Sequence, residues 1–384
     1  MHIFGWTHTM TVTNFAAMRL GPLLLMILPI PMSAQMLVPD LLTELPAQLN
    51  ETSGLLVLDD AIWTILDSGN PAAVYQIDPA VGNVLRTVEL LGASNVDYEE
   101  ITADATWVYI GDFGNNAGAR TNLRVYRIPR TALEDDAITQ VAVDTIRFTF
   151  SDQVDFTIAY NANNYDCEAM VAMDDSLFLF TKRWLDGQTR MYALSAAPGD
   201  HVAQAREVFD TGGVVTSASW DGTDRLVLLG HVDDPGQPFI WFFNSVVGHE
   251  FFASGGIRRD LDMLDHQTEG IAWLTPDEWI ISNESASGFP PQLWAVDAGW
   301  TATAAIARAH ALRFYPNPAC NVLRVDGVEG RAAVRIVDRM GRVVMSSTLQ
   351  QDAALDITTL VPGYYVALIT SNGGRWSSPI VVAR

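Results

Sequence analysis

The sequence predicts an all-β protein: a five-bladed β-propeller followed by a small C-terminal β-sandwich. A short hairpin recurs five times along the chain, and its strands are rich in β-branched and aromatic residues. Between Leu45 and Val296 no segment has the long periodicity of an amphipathic helix. Supersecondary units that recur in this way are typical of propellers and other repeat proteins.

Each hairpin joins two short runs through turn residues. The second strands of the five hairpins are predicted at residues 62–65, 107–110, 177–180, 226–229 and 279–281. Two further strands follow in each of the first four units, at residues 73–77 and 84–90, 123–128 and 146–150, 191–194 and 205–209, and 239–243 and 250–253. Four strands in a unit are what one propeller blade requires.

The fifth unit has only one further strand, at residues 293–296, whereas a spare strand lies near the N-terminus. We predict that residues 37–45 supply its outer strand and close the ring, because closure removes an exposed sheet edge. The propeller then spans residues 36–298. A six-bladed ring is the alternative, since the long interval from Glu99 to Glu168 could hold a degenerate unit around residues 140–158.

The two ends of the chain differ from the propeller. Residues 312–384 contain several short strands between turn residues and read as a β-sandwich, with residues 299–311 as the linker. In the N-terminal segment, Arg19 precedes the apolar run of residues 20–32, and small residues follow it. This run is too short to span a bilayer, so residues 1–34 are predicted to be a signal peptide and the chain to have no transmembrane segment. A buried strand or helix is the alternative.

Composition narrows the classes of partner. The formal net charge of −22 argues against nucleic acid and against anionic membrane surfaces, and it favours solubility or cation binding. The two cysteines, Cys167 and Cys320, fall in different predicted domains, so a disulfide between them is not expected. No Cys/His spacing indicates structural zinc.

Ten polar positions are expected around one mouth of the propeller channel. The start of each inner strand and the end of the strand paired with it lie at the same end of the hairpin. The inner strands place Ser53, Glu99, Glu168, Ser217 and Glu269 there. The second strands place Asp67, Asp112, Lys182, His231 and Asn283 there.

Three glutamates in a confined channel favour a bound cation, because gathered like charges cost free energy unless they are neutralised. The predicted metal ligands are Glu99, Glu168, Glu269, Asp112 and Asn283, and hard oxygen donors favour calcium or magnesium over zinc, with calcium as the first choice. Ser53, Asp67, Lys182, Ser217 and His231 are predicted to bind the ligand, with His231 as a candidate catalytic base. The alternative is structural: the carboxylates accept backbone N–H bonds around ordered water, and His231 is an ordinary loop histidine.

Residues 312–384 resemble the type A sorting domain of type IX secretion substrates. The resemblance rests on Tyr315-Pro316-Asn317-Pro318-Ala319, on residues 334–343, on residues 360–366 and on a terminal apolar strand. It implies a β-sandwich recognised by the type IX secretion machinery of a Gram-negative bacterium. It also implies export through the periplasm to the medium or the outer-membrane surface, which agrees with the signal peptide.

The propeller is similar to uncharacterised exported propeller proteins through residues 51–55, 97–101, 111–116, 166–169 and 267–271. More loosely, its Ser-Gly and Glu-Gly strand starts resemble those of the gluconolactonase and paraoxonase propellers, which hold a divalent cation at the channel mouth. By position type, only Glu269, Asn283 and Asp112 correspond. We therefore expect a module that binds an extracellular glycan, protein or small molecule, with a metal-dependent lactonase or esterase as the alternative.

Overall fold

The computed structural model describes residues 36–233, 236–298, 313–326, 332–337, 342–349, 354–371 and 374–383. The predicted signal peptide and linker lie outside these residues. The regular secondary structure of the described residues is almost entirely β-strand, and the exceptions are a short helix, α1, at Thr131–Glu134 and a 3₁₀ helix at Ala47–Leu49. The all-β prediction is therefore confirmed.

Five four-stranded blades make up the propeller. Blade 1 contains β2 (Thr52–Leu58), β3 (Ala61–Leu66), β4 (Ala73–Ile77) and β5 (Val84–Leu91). Blade 2 contains β6 (Tyr98–Ala103), β7 (Trp107–Asp112), β8 (Arg124–Pro129) and β10 (Asp144–Phe150). Blade 3 contains β11 (Asp166–Met173), β12 (Ser176–Lys182), β13 (Gln188–Ser195) and β14 (Gly199–Asp210). Blade 4 contains β15 (Val214–Trp220), β16 (Leu226–Asp233), β17 (Gly236–Phe243) and β18 (Ile257–Asp260), and blade 5 contains β19 (Thr268–Thr275), β20 (Glu278–Asn283), β21 (Gln292–Asp297) and β1 (Asp40–Glu44).

The N-terminal strand closes the ring as predicted. β1 pairs antiparallel with β21, so that Asp40 lies opposite Ala295 and Glu44 opposite Gln292. The inner strands neighbour one another in the order β2, β6, β11, β15, β19 and back to β2. The interval that could have held a sixth blade instead contains β9 (Gln140–Ala142), which extends blade 1 in parallel, and β10, which completes blade 2. The described residues thus form five blades.

One predicted outer strand is wrong. Residues 250–253 form turns, and the outer strand of blade 4 is β18 instead. The apolar character of this segment serves a different purpose: Phe251 and Phe252 are buried against the aromatic residues Phe178 and Phe180 of blade 3. Burial between two blades, not alternation along a strand, explains these phenylalanines.

The C-terminal residues form the expected two sheets. One contains β22 (Arg313–Tyr315), β23 (Val322–Asp326) and β26 (Ala354–Asp356), and the other contains β24 (Ala332–Val337), β25 (Val343–Leu349), β27 (Gly363–Ser371) and β28 (Gly374–Val382). Leu323 and Leu355 of the first sheet share one buried cluster with Val334, Ile336 and Ile380 of the second. Apolar faces that pack in this way define a β-sandwich.

Candidate functional site

A β-bulge interrupts each inner strand at the same level of the channel. In blade 3, Cys167 pairs with Thr181 and Ala169 pairs with Phe180, which leaves Glu168 as the extra residue. The equivalent bulge residues are Ser53, Glu99, Glu168, Thr216 and Glu269. A bulge re-aims the side chain it carries. In blade 4 the bulge residue is therefore Thr216, which corrects the predicted Ser217 by one position.

Side-chain alternation decides which residue of each second strand lies at the mouth. Lys182 pairs with Asp166, two residues before the bulge. Asn283 and Asp112 each pair with the residue one position before the bulge of their blade. Their side chains therefore lie on the opposite face of the blade from that of Lys182. Glu284 is the true equivalent of Lys182 in blade 5, since its N–H donates to the carbonyl of a residue two positions before that bulge.

Four of the bulge residues and three residues of the second strands share one cavity of about 70 Å³. Its lining consists of Ser53, Asp67, Glu99, Asn116, Glu168, Lys182, Gln267, Glu269 and Glu284. Six of the ten predicted residues thus lie together, and the three glutamates do converge. Among the described lining residues, five carboxyl groups face a single ammonium group.

Glu99 is the central residue of this cavity. Its side chain is only 7% exposed, and no described residue donates a hydrogen bond to its carboxylate or forms an ion pair with it. Carboxylate oxygens of Asp67, Asp97 and Glu99 lie within 4.8 Å of one another. Gly114 makes the approach possible, because a Cβ there would overlap the carboxylate oxygens of Glu99 and Asp97.

The electrostatics of the mouth reflect an excess of negative charge. Burial, followed by the neighbouring Glu168 and Asp67, holds the pKa of Glu99 well above its ordinary value. Burial and Asp67 raise the pKa of Asp97 to about 7, and burial and Glu269 raise the pKa of Glu284 to about 9. A cation or protons are therefore needed to neutralise this cluster.

Lys182 supplies one positive charge. Its Nζ lies 3.6 Å from Glu168 Oε2 and 4.9 Å from the ring of Trp184. Burial alone would lower the pKa of Lys182, but Glu168 and Glu269 outweigh burial and raise it above the ordinary value. The ammonium group therefore stays charged, and it is shared among several carboxylates.

Two predicted metal ligands are engaged elsewhere. Asp112 is fully buried, and its carboxylate accepts from Arg120 Nη2 at 2.8 Å and lies 2.9 Å from Arg124 Nε. Asn283 donates to the carbonyl of Pro290 at 3.0 Å and accepts from Trp294 Nε1 at 2.8 Å. Neither lines the mouth cavity, which corrects their predicted position. Glu284 lines the cavity instead, and Asp97 lies beside it, within 4.8 Å of Asp67 and Glu99.

Two predicted ligand-binding residues also lie outside the mouth cavity. His231 is buried, and its Nδ1 contacts the carbonyl of Asp233. Ser217 is buried and donates to Glu100 Oε2 at 2.7 Å. The candidate base is therefore not positioned beside the carboxylate cluster.

Glu100, one residue past the bulge, spans the channel. It extends from β6 to β15, two inner strands that are not neighbours in the ring, and accepts from Ser217 Oγ and from the Ala218 N–H at 2.9 Å. Its other oxygen accepts from the Ile101 N–H at 3.0 Å. A Cβ on Gly54 would clash with Glu100, so glycine leaves room for it. Glu100 was not among the residues predicted to form the site.

Without added metal, the stability of the propeller is expected to fall as pH rises from 6 to 9. Carboxyl groups whose folded pKa is raised stabilise the fold fully below their unfolded pKa of about 4, and this stabilisation is lost as pH rises through the folded pKa. For Asp97 and Glu284 these folded values are about 7 and about 9. The raised pKa of Lys182 contributes no slope in this window, because lysine remains charged in both states there.

Thermal unfolding in chelator at pH 6 and pH 9 measures this effect. A loss of about 2–3 kcal/mol lowers the melting temperature by on the order of 5–10 °C for a domain of this size. The slope should shrink in Glu284→Gln, which removes one of the carboxyl groups that contribute to it. A melting temperature that stays level, or a variant with the full slope, would contradict the assignment.

The C-terminal residues match a known family. Residues 313–383 match the family described as secretion system C-terminal sorting domain. This confirms the predicted type IX sorting domain, and it indicates a protein that is secreted or held at the cell surface. No curated protein matches the sequence. Within the described residues, no helix is both long enough and apolar enough to cross a membrane.

The solved structures similar to this chain include two glycoside hydrolases. A GH43 β-1,3-galactosidase, solved with galactodeoxynojirimycin, is 10% identical over 64% of this chain and 89% of its own, with a TM-score of 0.40. The exo-β-1,3-galactanase of Phanerochaete chrysosporium, solved with galactose, is 9% identical over 86% and 88%, with a TM-score of 0.39. At these scores no activity carries over to this chain. The resemblance to gluconolactonase and paraoxonase propellers stays a prediction.

Proposed function

We propose that the protein is an extracellular binding module that holds a hard divalent cation, calcium above others, at the mouth of the propeller channel. The observation that supports this most directly is the buried Glu99 carboxylate, which forms no ion pair within 4 Å with a described residue and lies with Asp67 and Asp97. Carboxylates of this kind are stable when a cation binds them or when they are protonated. Calcium is the hard, oxygen-seeking ion available outside cells.

The geometry fits one ion. Oxygen atoms that bind the same Ca²⁺ at about 2.3–2.6 Å are at most about 5 Å apart. The three oxygens of Asp67, Asp97 and Glu99 lie within 4.8 Å of one another. The cavity, about 70 Å³, is far smaller than the roughly 300–1,000 Å³ of sites that enclose organic ligands. An extracellular ligand would therefore contact the ion and the surrounding loops from outside.

Calcium is expected to raise the melting temperature of the purified protein. A ligand at 100 times its Kd stabilises the folded state by about 2.7 kcal/mol, which is on the order of 5–10 °C here. Thermal unfolding with millimolar Ca²⁺ and with chelator at pH 8 measures the shift, and titration calorimetry measures the affinity. Glu99→Gln should abolish the calcium shift without lowering the melting temperature in chelator.

Asp200→Asn is the matched control. Asp200 is a carboxylate on an outer strand, and its side chain is 83% exposed. This variant should keep the full calcium shift. If calcium and chelator give the same melting temperature in the parent protein, the proposed metal site is contradicted. The alternative, protonated carboxylates around channel water, is then supported.

A metal-dependent lactonase or esterase is the second function that the sequence raised. Such an enzyme requires a base beside an open coordination position. His231 lies outside the mouth cavity, with Nδ1 against a backbone carbonyl, so binding without turnover is favoured. Hydrolysis of any compound in a panel of esters and lactones, dependent on calcium and lost in Glu99→Gln, would reverse this choice.

The sorting domain also suggests the pathway by which the protein is exported. We propose that the type IX machinery of a Gram-negative bacterium recognises residues 313–383 and carries the propeller from the periplasm across the outer membrane. Deletion of residues 312–384 should leave the propeller folded but trapped in the periplasm. Cell fractionation of a host with this machinery, with the full chain as control, tests the route. Surface delivery of the truncated chain would contradict it.

A further inference from the structure

A second cavity lies at the other end of the channel, where the inner strands meet their hairpin turns. Its volume is about 610 Å³, within the roughly 300–1,000 Å³ typical of sites for small organic ligands. Every blade contributes to its wall. Glu100 lies between this hairpin-end cavity and the mouth cavity and belongs to the lining of neither. The two cavities are therefore separate sites.

Polar groups supply most of the surface that lines the hairpin-end cavity, whereas apolar side chains form its depth and two tryptophans lie toward its opening. Its deep part is formed by buried residues, among them Ile101, Ala218 and Ala272. Two partly exposed tryptophans, Trp220 and Trp273, line it nearer the solvent. A guanidinium group already lies on one of them, since Arg225 Cζ is 4.5 Å from the ring centroid of Trp273. Tryptophan faces attract cations.

The rim of the same cavity is acidic. Asp104 accepts hydrogen bonds from the N–H groups of Thr106 and Trp107, both at 2.7 Å, and no described cation forms an ion pair with it. The exposed Asp174 meets only the imidazole of His249, at 3.2 Å, among the described cations. The one arginine in the lining, Arg130, is held by Asp59 and Glu134. Two carboxylates that form no ion pair with a described lysine or arginine, Asp104 and Asp174, therefore line the same cavity as the two tryptophans.

We propose that the hairpin-end cavity binds an organic cation with an apolar body, such as an alkylated ammonium compound. A small metal ion is strongly hydrated and would gain less from indole rings than from oxygen ligands, and an anion would be repelled by the rim carboxylates. A neutral apolar compound would gain from the wall but not from Asp104 and Asp174. The combination of a tryptophan wall and a carboxylate rim selects a ligand that is both charged and apolar.

The test compares two molecules of almost the same shape. Choline and its neutral isostere 3,3-dimethyl-1-butanol are titrated calorimetrically into the full chain, in chelator so that the mouth plays no part. Choline should bind about tenfold more tightly or better. Trp220→Leu, which keeps an apolar side chain, and Asp174→Asn should each weaken choline binding several-fold. Asp174 has a φ of 54°, a conformation that asparagine also adopts, so this variant should fold.

Each outcome decides the matter. Selective choline binding that falls in both variants and persists in Asp200→Asn supports the proposal. Equal binding of the two isosteres would show a plain apolar cavity and overturn it. The absence of choline binding at millimolar concentration, with the melting temperature of each variant confirming its fold, would overturn it as well. Neither failure bears on the calcium site.

Discussion

Glu100→Ala is expected to destabilise the propeller by about 3–5 kcal/mol in the free energy of unfolding. The side chain is fully buried in the channel. Its loss would leave the Ser217 hydroxyl and the N–H groups of Ala218 and Ile101 without their acceptor and would create a cavity. Urea denaturation measures the change as a lower midpoint with an unchanged m-value.

Two neighbouring variants separate the channel-spanning role from a general effect of charge. Glu100→Gln keeps the volume but turns an amide N–H₂ toward an N–H donor, so about 1–3 kcal/mol is expected. Glu99→Gln, one residue earlier, should cost nothing in chelator and should even stabilise, because it removes an unpartnered carboxylate from a like-charged cluster. Equal losses in Glu99→Gln and Glu100→Ala would contradict the roles assigned to both residues.

The blade pattern could be predicted because the hairpin motif repeats along the sequence and apolar and polar residues alternate within its strands. The same two-strand hairpin recurs five times, with a polar residue near the start of each inner strand, and the missing outer strand of the last unit predicted the pairing of β1 with β21. The prediction of a strand at residues 250–253 was wrong for a physical reason: Phe251 and Phe252 pack between two blades. Short apolar runs do not reveal by themselves whether they pair or pack.

Counting from strand ends placed two of the predicted residues one position away from the equivalents that the structure shows. A bulge adds a residue to the inner strand only, so counting along that strand loses the register there, and Thr216 takes the position predicted for Ser217. In the second strand of blade 5 the end was placed one residue too early, and Glu284 is the equivalent of Lys182. Asp112 could not be excluded from sequence, because its partners Arg120 and Arg124 come from a loop and the next strand.

One signal for Glu100 was present in the sequence. The positions just after the bulge hold Gly54, Glu100, Ala169, Ser217 and Gly270. Four small side chains and one long one at the same level of a ring indicate that the long one fills the centre. Which oxygen it uses and which strand it reaches depend on the register and could not be derived from composition.

Lys182→Met is expected to cost about 3–5 kcal/mol at pH 8, or on the order of 10 °C in melting temperature. Lys182 is buried, with Nζ 3.6 Å from Glu168 Oε2. Methionine preserves much of the apolar stem but leaves the carboxylates of the mouth without their ammonium group. The loss should shrink at pH 5, where protonation neutralises the same carboxyl groups, and thermal unfolding at the two pH values measures it.

Calcium should rescue Lys182→Met more than it stabilises the parent protein. The ammonium group of Lys182 and the divalent ion would interact with the same carboxylates, since Glu168 and Glu99 line one cavity with Lys182. Removal of the internal cation therefore raises the affinity for the external one, and a Kd lowered by about tenfold or more is expected. Lys182→Arg, which retains the charge, is the control and should keep the parent affinity. A variant that loses stability and gains no calcium affinity would show that Lys182 and the ion do not share carboxylates, and the cation site would have to be placed on Asp67, Asp97 and Glu99 alone.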